Sequence, residues 1–282
     1  MNSLPHEALG LGLRPSHYDE IFAAPPPLDF FEVLSENYMH TGGRPLRMLD
    51  RVAERFPVVL HGVSMNVAGT DPIDRDHLRE LRALQRRCGA RWISDHLCWT
   101  AVDGVHLHDL LPIPYDEATL DHVAARVRRI QDELEQPLVL ENPSTYVRFA
   151  ARDFDEVGFL AALVERTGCR LLVDVNNVYV SGTNHGFDPE DWLRRVPWAH
   201  VVWLHLAGHT TTPTHRIDTH DQSVCPAVWR LHALAQELSD GRPTVLERDD
   251  AIPPLAQLVA ELQRARRVPR STPVRRRMGG VA

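Results

Sequence analysis

At 282 residues and 43% hydrophobic content, the chain is long enough to bury one large α/β core or two small ones. All 31 basic residues are arginines, which excludes chemistry that needs a lysine amine: Schiff-base aldolases, pyridoxal phosphate enzymes and the Walker A phosphate loop. The net charge of −7 hides an asymmetry, because seven arginines and no acid occur from Arg264 onward and leave the preceding part at −14, a poor match for duplex DNA.

In chain order, short apolar runs recur and helical patterns follow them. Leu9 to Leu13 precedes a helix over 15–24, Phe30 to Leu34 one over 44–56, Val58 to Leu60 one over 74–88, and Arg91 to Ser94 one over 116–135. Pro137 to Leu140, Arg170 to Val173, His200 to Leu204 and Pro243 to Leu246 precede helices over 153–167, 188–196, 223–239 and 252–267. Leu120, Val123, Val127, Ile130 and Leu134 show the 3–4 spacing of an amphipathic helix. Eight strand-helix units predict an α/β fold, a (β/α)8 TIM barrel, better than an open sheet, and no GxGxxG follows a strand. Residues 1–267 read as this single domain, and 268–282 as an Arg-rich disordered tail. No stretch of 18 apolar residues and no basic-then-apolar N-terminus occur, so a cytoplasmic protein with no membrane partner is expected. The four cysteines form no CxxC pair, which agrees with a reducing compartment; Cys98 stands out, two residues after His96.

The densest chemistry lies between His205 and Asp221, with four histidines and two aspartates in seventeen residues directly after the apolar Val201 to Leu204. Imidazoles mixed with carboxylates suit a transition metal rather than calcium or magnesium. In a barrel the residues just past each strand converge at one mouth. Here they are Glu36, His61, Asp95 with His96, Glu141, Asp174 with Asn176 and Asn177, His205, and Glu247 with Asp249. So many carboxylates at one mouth repel one another unless cations neutralise them. His61, His96, His205 and His220 beside Glu141, Asp174 and Glu247 offer more ligands than one ion uses, so two or three metals are expected, with Glu141 as a natural bridge. His6, His17, His77, His122, His200 and His232 read as packing or surface residues, His106 and His108 as lining the mouth, and His215 as gating the loop.

Several motifs resemble one family: Ser94-Asp-His-Leu-Cys-Trp99, Asp109-Leu-Leu-Pro-Ile-Pro-Tyr115, Leu140-Glu-Asn-Pro-Ser-Thr-Tyr146, Asp174-Val-Asn-Asn-Val-Tyr-Val-Ser181, Asn184-His-Gly-Phe-Asp188, His205-Leu-Ala-Gly-His209 and Leu246-Glu-Arg-Asp249. By these the chain is similar, from about Leu9 to Arg266, to the multinuclear non-haem iron-dependent oxidative enzymes. The resemblance implies a TIM barrel holding two or three Fe ions, mixed Fe(II)/Fe(III), with O2 as co-substrate. It implies a ribosomal precursor peptide as substrate, modified at cysteine, and a partner protein that holds the leader. Carried over by position, the metal ligands are His61, His96, Glu141, Asp174, Asn177, His205, Asp218, His220 and Glu247, with Glu141, His96 and Asp174 central to catalysis. His185, Asp95, Asn142, Asn66 and His209 are assigned to the surrounding shell or to substrate. One departure, Met65-Asn-Val-Ala-Gly69, touches the substrate lip and puts the identity of the peptide in question. Two rival readings are a divalent-metal isomerase or hydrolase of the sugar-isomerase or endonuclease IV type, and a non-catalytic peptide-binding scaffold.

Overall fold

A computed structural model describes residues 4–267. Eight parallel strands close into a barrel: β1 (Leu9–Gly12), β2 (Phe30–Leu34), β3 (Val58–His61), β4 (Ile93–His96), β7 (Val139–Glu141), β8 (Arg170–Asp174), β9 (Val201–Leu206) and β12 (Thr244–Leu246). Each pairs with its neighbours in chain order, and β12 returns to β1 to seal the sheet. Two antiparallel hairpins stand on the loops: β5 (Trp99–Val102) with β6 (Val105–Leu111), and β10 (Thr210–Thr211) with β11 (Arg216–Ile217). The tail expectation for 268–282 lies outside the described residues.

Helices cover the outside: α1 (Tyr18–Ala23), α2 (Arg44–Ala53), α3 (Arg75–Cys88), α4 (Glu117–Leu134), α5 (Glu156–Thr167), α6 (Val175–His185), α7 (Pro189–Arg195), α8 (Pro226–Ser239) and α9 (Leu255–Leu262). Eight lie within the predicted spans, with trimmed ends. The ninth, α6, is an addition. Its sequence, Val-Asn-Asn-Val-Tyr-Val-Ser, is rich in β-branched and polar residues that disfavour helix by themselves. It forms because Asp174, the last residue of β8, accepts from the Asn177 N–H at 2.7 Å and so caps a helix that leaves the strand with no loop.

Side chains alternate in and out along each strand. One buried cluster, Phe30, Val59, Val139, Leu172, Trp203 and Val245 with Ala8, fills the barrel interior. The other, which includes Phe31, Leu60, Leu140, Val173, Leu204 and Leu246, lies between sheet and helices. Two residues beyond each interior apolar side chain, in the same inward register, stand Glu32, His61, Glu141, Asp174, His205 and Glu247. The barrel is thus an apolar plug with a layer of acids and imidazoles on top.

Candidate metal centre

Six barrel strands place the predicted side chains together, and the donor atoms fall into three groups. His61, His96 and Glu141 form one, Glu141, Asp174, His205 and Glu247 a second, and His220, Glu247 and Asp249 a third, each with one atom per residue within 4.8 Å of the others. Glu141 joins the first two and Glu247 the last two, so the groups form a row.

Hydrogen bonds fix which imidazole nitrogen faces the row. Ser94 Oγ donates to the Leu60 carbonyl at 3.2 Å, so it accepts from His61 Nδ1 at 2.8 Å. His96 Nδ1 donates to the Gly62 carbonyl at 3.2 Å, since a carbonyl can only accept. Both rings therefore turn an Nε2 lone pair toward Glu141 Oε2, each at 3.3 Å. His205 is held the other way: Nε2 donates to Glu32 Oε2 at 2.9 Å, and Nδ1 faces Glu247 Oε2 at 3.0 Å and Glu141 Oε1 at 3.5 Å. Trp203 Nε1 donates to the same Glu32 oxygen at 3.1 Å; the 3.3 Å approach of that indole to His205 Nε2 is a contact between two donors rather than a second bond. His220 Nδ1 donates to Asp249 Oδ2 at 2.9 Å, leaving Nε2 at 2.8 Å from Asp218 Oδ1.

Several buried atoms aimed at this row have no hydrogen-bond partner among the described residues: Glu141 Oε2, Asp174 Oδ2, Asn177 Oδ1, His205 Nδ1 and His220 Nε2. The short His205–Glu247 and His220–Asp218 distances are approaches without hydrogen-bond geometry, as two ligands of one cation make. Two like charges 4 Å apart repel by about 4 kcal/mol at an effective dielectric of about 20, so positive charge belongs between these carboxylates. The titration of the cluster states the same demand. Burial raises the Asp174 carboxyl well above its usual range, and the charges of Glu141 and Asp218 add to it. Burial opposes a charged His205, yet Glu247, Glu32 and Glu141 outweigh it and push the imidazole well up. Burial opposes ionisation of Glu247 too, but His205 and His220 hold it well below the usual range. Metal ions fit the donor set, and protons on the histidines are the substitute.

The remaining predicted residues are placed as follows. Asp174 spends Oδ1 on the helix cap, so only Oδ2 is free for the row. Asn177 Nδ2 donates to the Asn142 carbonyl at 3.1 Å and reaches Glu141 Oε1 at 3.5 Å, and its oxygen has no partner among the described residues. Asn142 clamps β7 to β8, accepting from the Asp174 N–H at 3.0 Å and donating to its carbonyl at 3.2 Å. Asn176 accepts from His209 Nδ1 at 2.8 Å and donates to Asp218 Oδ1 at 2.7 Å, orienting that carboxylate. His185 bonds Thr145 Oγ1 at 2.9 Å, outside all three groups. Asn66 accepts from the Thr100 N–H at 2.8 Å and donates to the Ala101 carbonyl at 3.1 Å, anchoring the β5–β6 hairpin. His106 and His108 line a cavity with Met65 and Asn66, whose wall includes no member of the three donor groups.

Two strand-end acids do not join the row. Asp95 is one residue out of the inward register and accepts from the Met65 N–H at 3.1 Å and the His96 N–H at 2.7 Å; burial, with the charge of Glu36 nearby, pushes its carboxyl up to about 7. Glu36 lies past β2 on a turn and accepts from the Val63 N–H at 2.9 Å. The residue of β2 that serves the site is Glu32, absent from the sequence-based set; an acid inside Phe-Phe-Glu-Val-Leu is the signal that reveals it. Asp249, one of the strand-end residues expected at the mouth, orients His220. Cys98 is fully buried and its thiol is pushed well up by burial, so it is no nucleophile.

The model of one protein family, described as RiPP precursor modification enzyme MbnB/TglH/ChrH, matches residues 8–270. A UPF0276 protein of Caulobacter vibrioides is 51% identical over 267 residues, covering 94% of this chain and 95% of the relative. One from Bordetella pertussis is 48% identical over 266 residues, covering 93% and 92%. Among solved structures, a D-psicose 3-epimerase from Clostridium cellulolyticum H10 superposes with a TM-score of 0.61 at 11% identity, covering 94% of this chain and 100% of that one. An L-ribulose 3-epimerase gives 0.61 at 14%, covering 93% and 96%. At that identity the likeness shows the barrel and nothing of the reaction.

Proposed function

Because this chain belongs to the family of RiPP precursor modification enzymes MbnB/TglH/ChrH, we propose that it is a multinuclear non-haem iron oxidase that uses O2 to modify a cysteine of a ribosomally made precursor peptide. The observation that carries the reading is the row of three donor groups bridged by Glu141 and Glu247, with its unpartnered buried atoms. His61, His96 and Glu141 would hold one iron, Glu141, Asp174, Asn177, His205 and Glu247 a second, and Glu247, His220 and Asp249 a third, with Asp218, 2.8 Å from His220 Nε2, as a further ligand beside that group. Bound there, the irons would supply the electrons for O2 chemistry and the Lewis acidity that lowers the pKa of a substrate thiol.

The chain's own groups do the positioning. Ser94 and the Gly62 carbonyl hold His61 and His96 in the tautomer whose Nε2 is free, and Glu32 with Trp203 holds His205 with Nδ1 free. Phe30, Val59, Val139, Leu172 and Trp203 seal the barrel floor against water, so substrate enters from the loop side. No helix of the described residues is long and apolar enough to cross a membrane, and all four cysteines are free; we place the reaction in the cytoplasm, in residues 1–267 as one catalytic domain, with a leader-binding protein as partner.

The test is anaerobic purification, metal analysis and Mössbauer spectroscopy, followed by turnover of a cysteine-bearing precursor under O2. Two to three irons per chain with a coupled mixed-valent signal, and an O2-dependent mass change in the peptide, are expected. Stoichiometric zinc or manganese that iron cannot replace with gain of O2-dependent activity would overturn the oxidase and favour an isomerase or hydrolase. Iron-replete protein that binds the peptide without changing it would favour a scaffold.

A further inference from the structure

Of the seven large hydrophobic side chains that stand exposed among the described residues, six lie on two loops: Val102, Val105 and Leu107 on the β5–β6 hairpin, and Tyr146, Val147 and Phe149 between β7 and α5. Those loops leave β4 and β7, neighbours in the barrel that each end on a candidate ligand, His96 and Glu141. Exposed apolar surface gathered in one place marks an interaction site. Between the end of the hairpin, the loop after β7 and α7 opens a cavity of about 240 Å3, walled by Ile113, Tyr115, Val147, Phe149, Phe187 and Trp192. Pockets for whole small molecules begin at roughly 300 Å3, so the room here is for one large side chain.

Most polar groups of the wall are already engaged. The Tyr115 hydroxyl at 3.3 Å and the Trp192 indole N–H at 3.0 Å both donate to Glu156, and Thr145 Oγ1 bonds His185 Nε2 at 2.9 Å. Arg195 holds Asp155 at 2.6 Å and reaches Asp191 at 3.6 Å, while Asp188 caps α7 by accepting from the Glu190 N–H at 2.9 Å. What remains is two exposed guanidiniums on the loop after β7, Arg148 and Arg152, with no hydrogen bond or ion pair among the described residues. An apolar hollow with unspent positive charge on one rim is complementary to an apolar side chain next to a carboxylate.

We propose that this pocket holds a large apolar side chain of the peptide substrate, aromatic or leucine, with an acidic neighbour on Arg148 and Arg152. It thereby sets the spacing along the peptide between that side chain and the residue that reaches the metals. The inference rests on the reading that the substrate is a peptide. Tyr146 links the pocket to the metal row: its neighbours Thr145 and Val147 line the cavity, and its hydroxyl accepts from the Asp218 N–H at 2.9 Å, beside His220. The chain's own end is a poorer occupant. It is rich in arginine, which Arg148 and Arg152 repel. The described chain also ends at the other end of the barrel, where Arg266 pairs with Asp29 at 2.9 Å just before β2 begins.

The experiment is fluorescence anisotropy of the full chain, as purified, with labelled Glu-Phe-Glu, Glu-Ala-Glu and Arg-Phe-Arg peptides. Glu-Phe-Glu is expected to bind about tenfold or more tighter than Glu-Ala-Glu, the gain from burying one aromatic side chain, and about threefold or more tighter than Arg-Phe-Arg. Val147→Ser with Phe149→Ser should weaken Glu-Phe-Glu about threefold or more at an unchanged melting temperature, since these side chains are 62% and 43% exposed in the free protein. Arg148→Glu with Arg152→Glu should reverse the preference between Glu-Phe-Glu and Arg-Phe-Arg, a gain that misfolding cannot imitate. Equal binding of Glu-Phe-Glu and Glu-Ala-Glu overturns the proposal, as does an unreversed preference in the double arginine variant. Equal weakening by Ile252→Ser, on another loop, overturns it too. A dimer in sedimentation that Phe149→Ser turns into monomer would assign the face to a second copy of the chain and overturn the proposal as well. The readout needs no turnover, so an iron-free protein sinks the oxidase without changing these affinities, and equal affinities on an active iron enzyme sink this inference alone.

Discussion

Ser94 makes no contact with substrate or metal on the geometry described, yet it decides the chemistry of His61. Its hydroxyl accepts the hydrogen bond from Nδ1–H and so leaves the Nε2 lone pair facing Glu141. Ser94→Ala frees the ring to flip or change tautomer, and partners of this kind are worth about 10–100-fold in metal affinity. Metal titration of the apo-protein is expected to show that loss at one site while the other two persist; unchanged affinity would mean that packing, not Ser94, orients the ring. Glu141 is the stronger case, because its two oxygens face different groups. Glu141→Gln should empty both adjoining sites and leave at most one metal per chain by elemental analysis, and a variant that keeps the full complement would remove the bridge.

Between elements, the third group depends on a close approach. A Cβ on Gly208 would sit 2.0 Å from the Gln222 carbonyl oxygen, a distance no packed atom tolerates. Without that Cβ the segment carrying Asp218 and His220 folds back onto the end of β9, and the His220 N–H bonds the Gly208 carbonyl at 3.1 Å. Gly208→Ala should displace this segment, lowering the bound metal by one and sparing the groups built on β3, β4 and β7. Elemental analysis beside circular dichroism separates this from unfolding: a folded variant with all its metal would show that the segment finds its place another way. Element α6 teaches the same dependence, since Asp174 both starts that helix and supplies an oxygen to the row.

Across the whole molecule, the buried charges are concentrated at one end of the barrel, and the opposite end answers to pH separately. His232, fully buried on α8, accepts or donates to Thr244 Oγ1 at 3.1 Å, and burial holds its imidazole down at about 4. The folded protein therefore keeps it neutral while the unfolded chain takes a proton near pH 6.5. Its contribution to stability is complete above about pH 6.5 and is lost as the pH falls toward about 4, on the order of 3 kcal/mol at most. His232→Gln should flatten that part of the acid limb of melting temperature against pH, measured on metal-free protein. A limb of unchanged slope would place the acid sensitivity elsewhere.

The sequence alone determined the eight apolar runs, their spacing and hence the barrel, because strand and helix periods are local properties of the chain. It also determined the kinds of ligand, since acids and imidazoles at the ends of apolar strands have few other uses. What only the tertiary structure decided is which of them meet. Register around the closed sheet selects His96 over its neighbour Asp95, because alternate side chains of a strand face opposite sides and one residue moves a group from the row to the wall, and it is Glu32 rather than Glu36 that serves the site because β2 ends at Leu34 and Glu36 falls on the turn beyond it. The closure of β12 on β1 brings β2 round to β9, so that Glu32 and His205, 173 residues apart in the chain, meet at 2.9 Å. No local pattern carries that pairing, for it follows from where the ends of the sheet join.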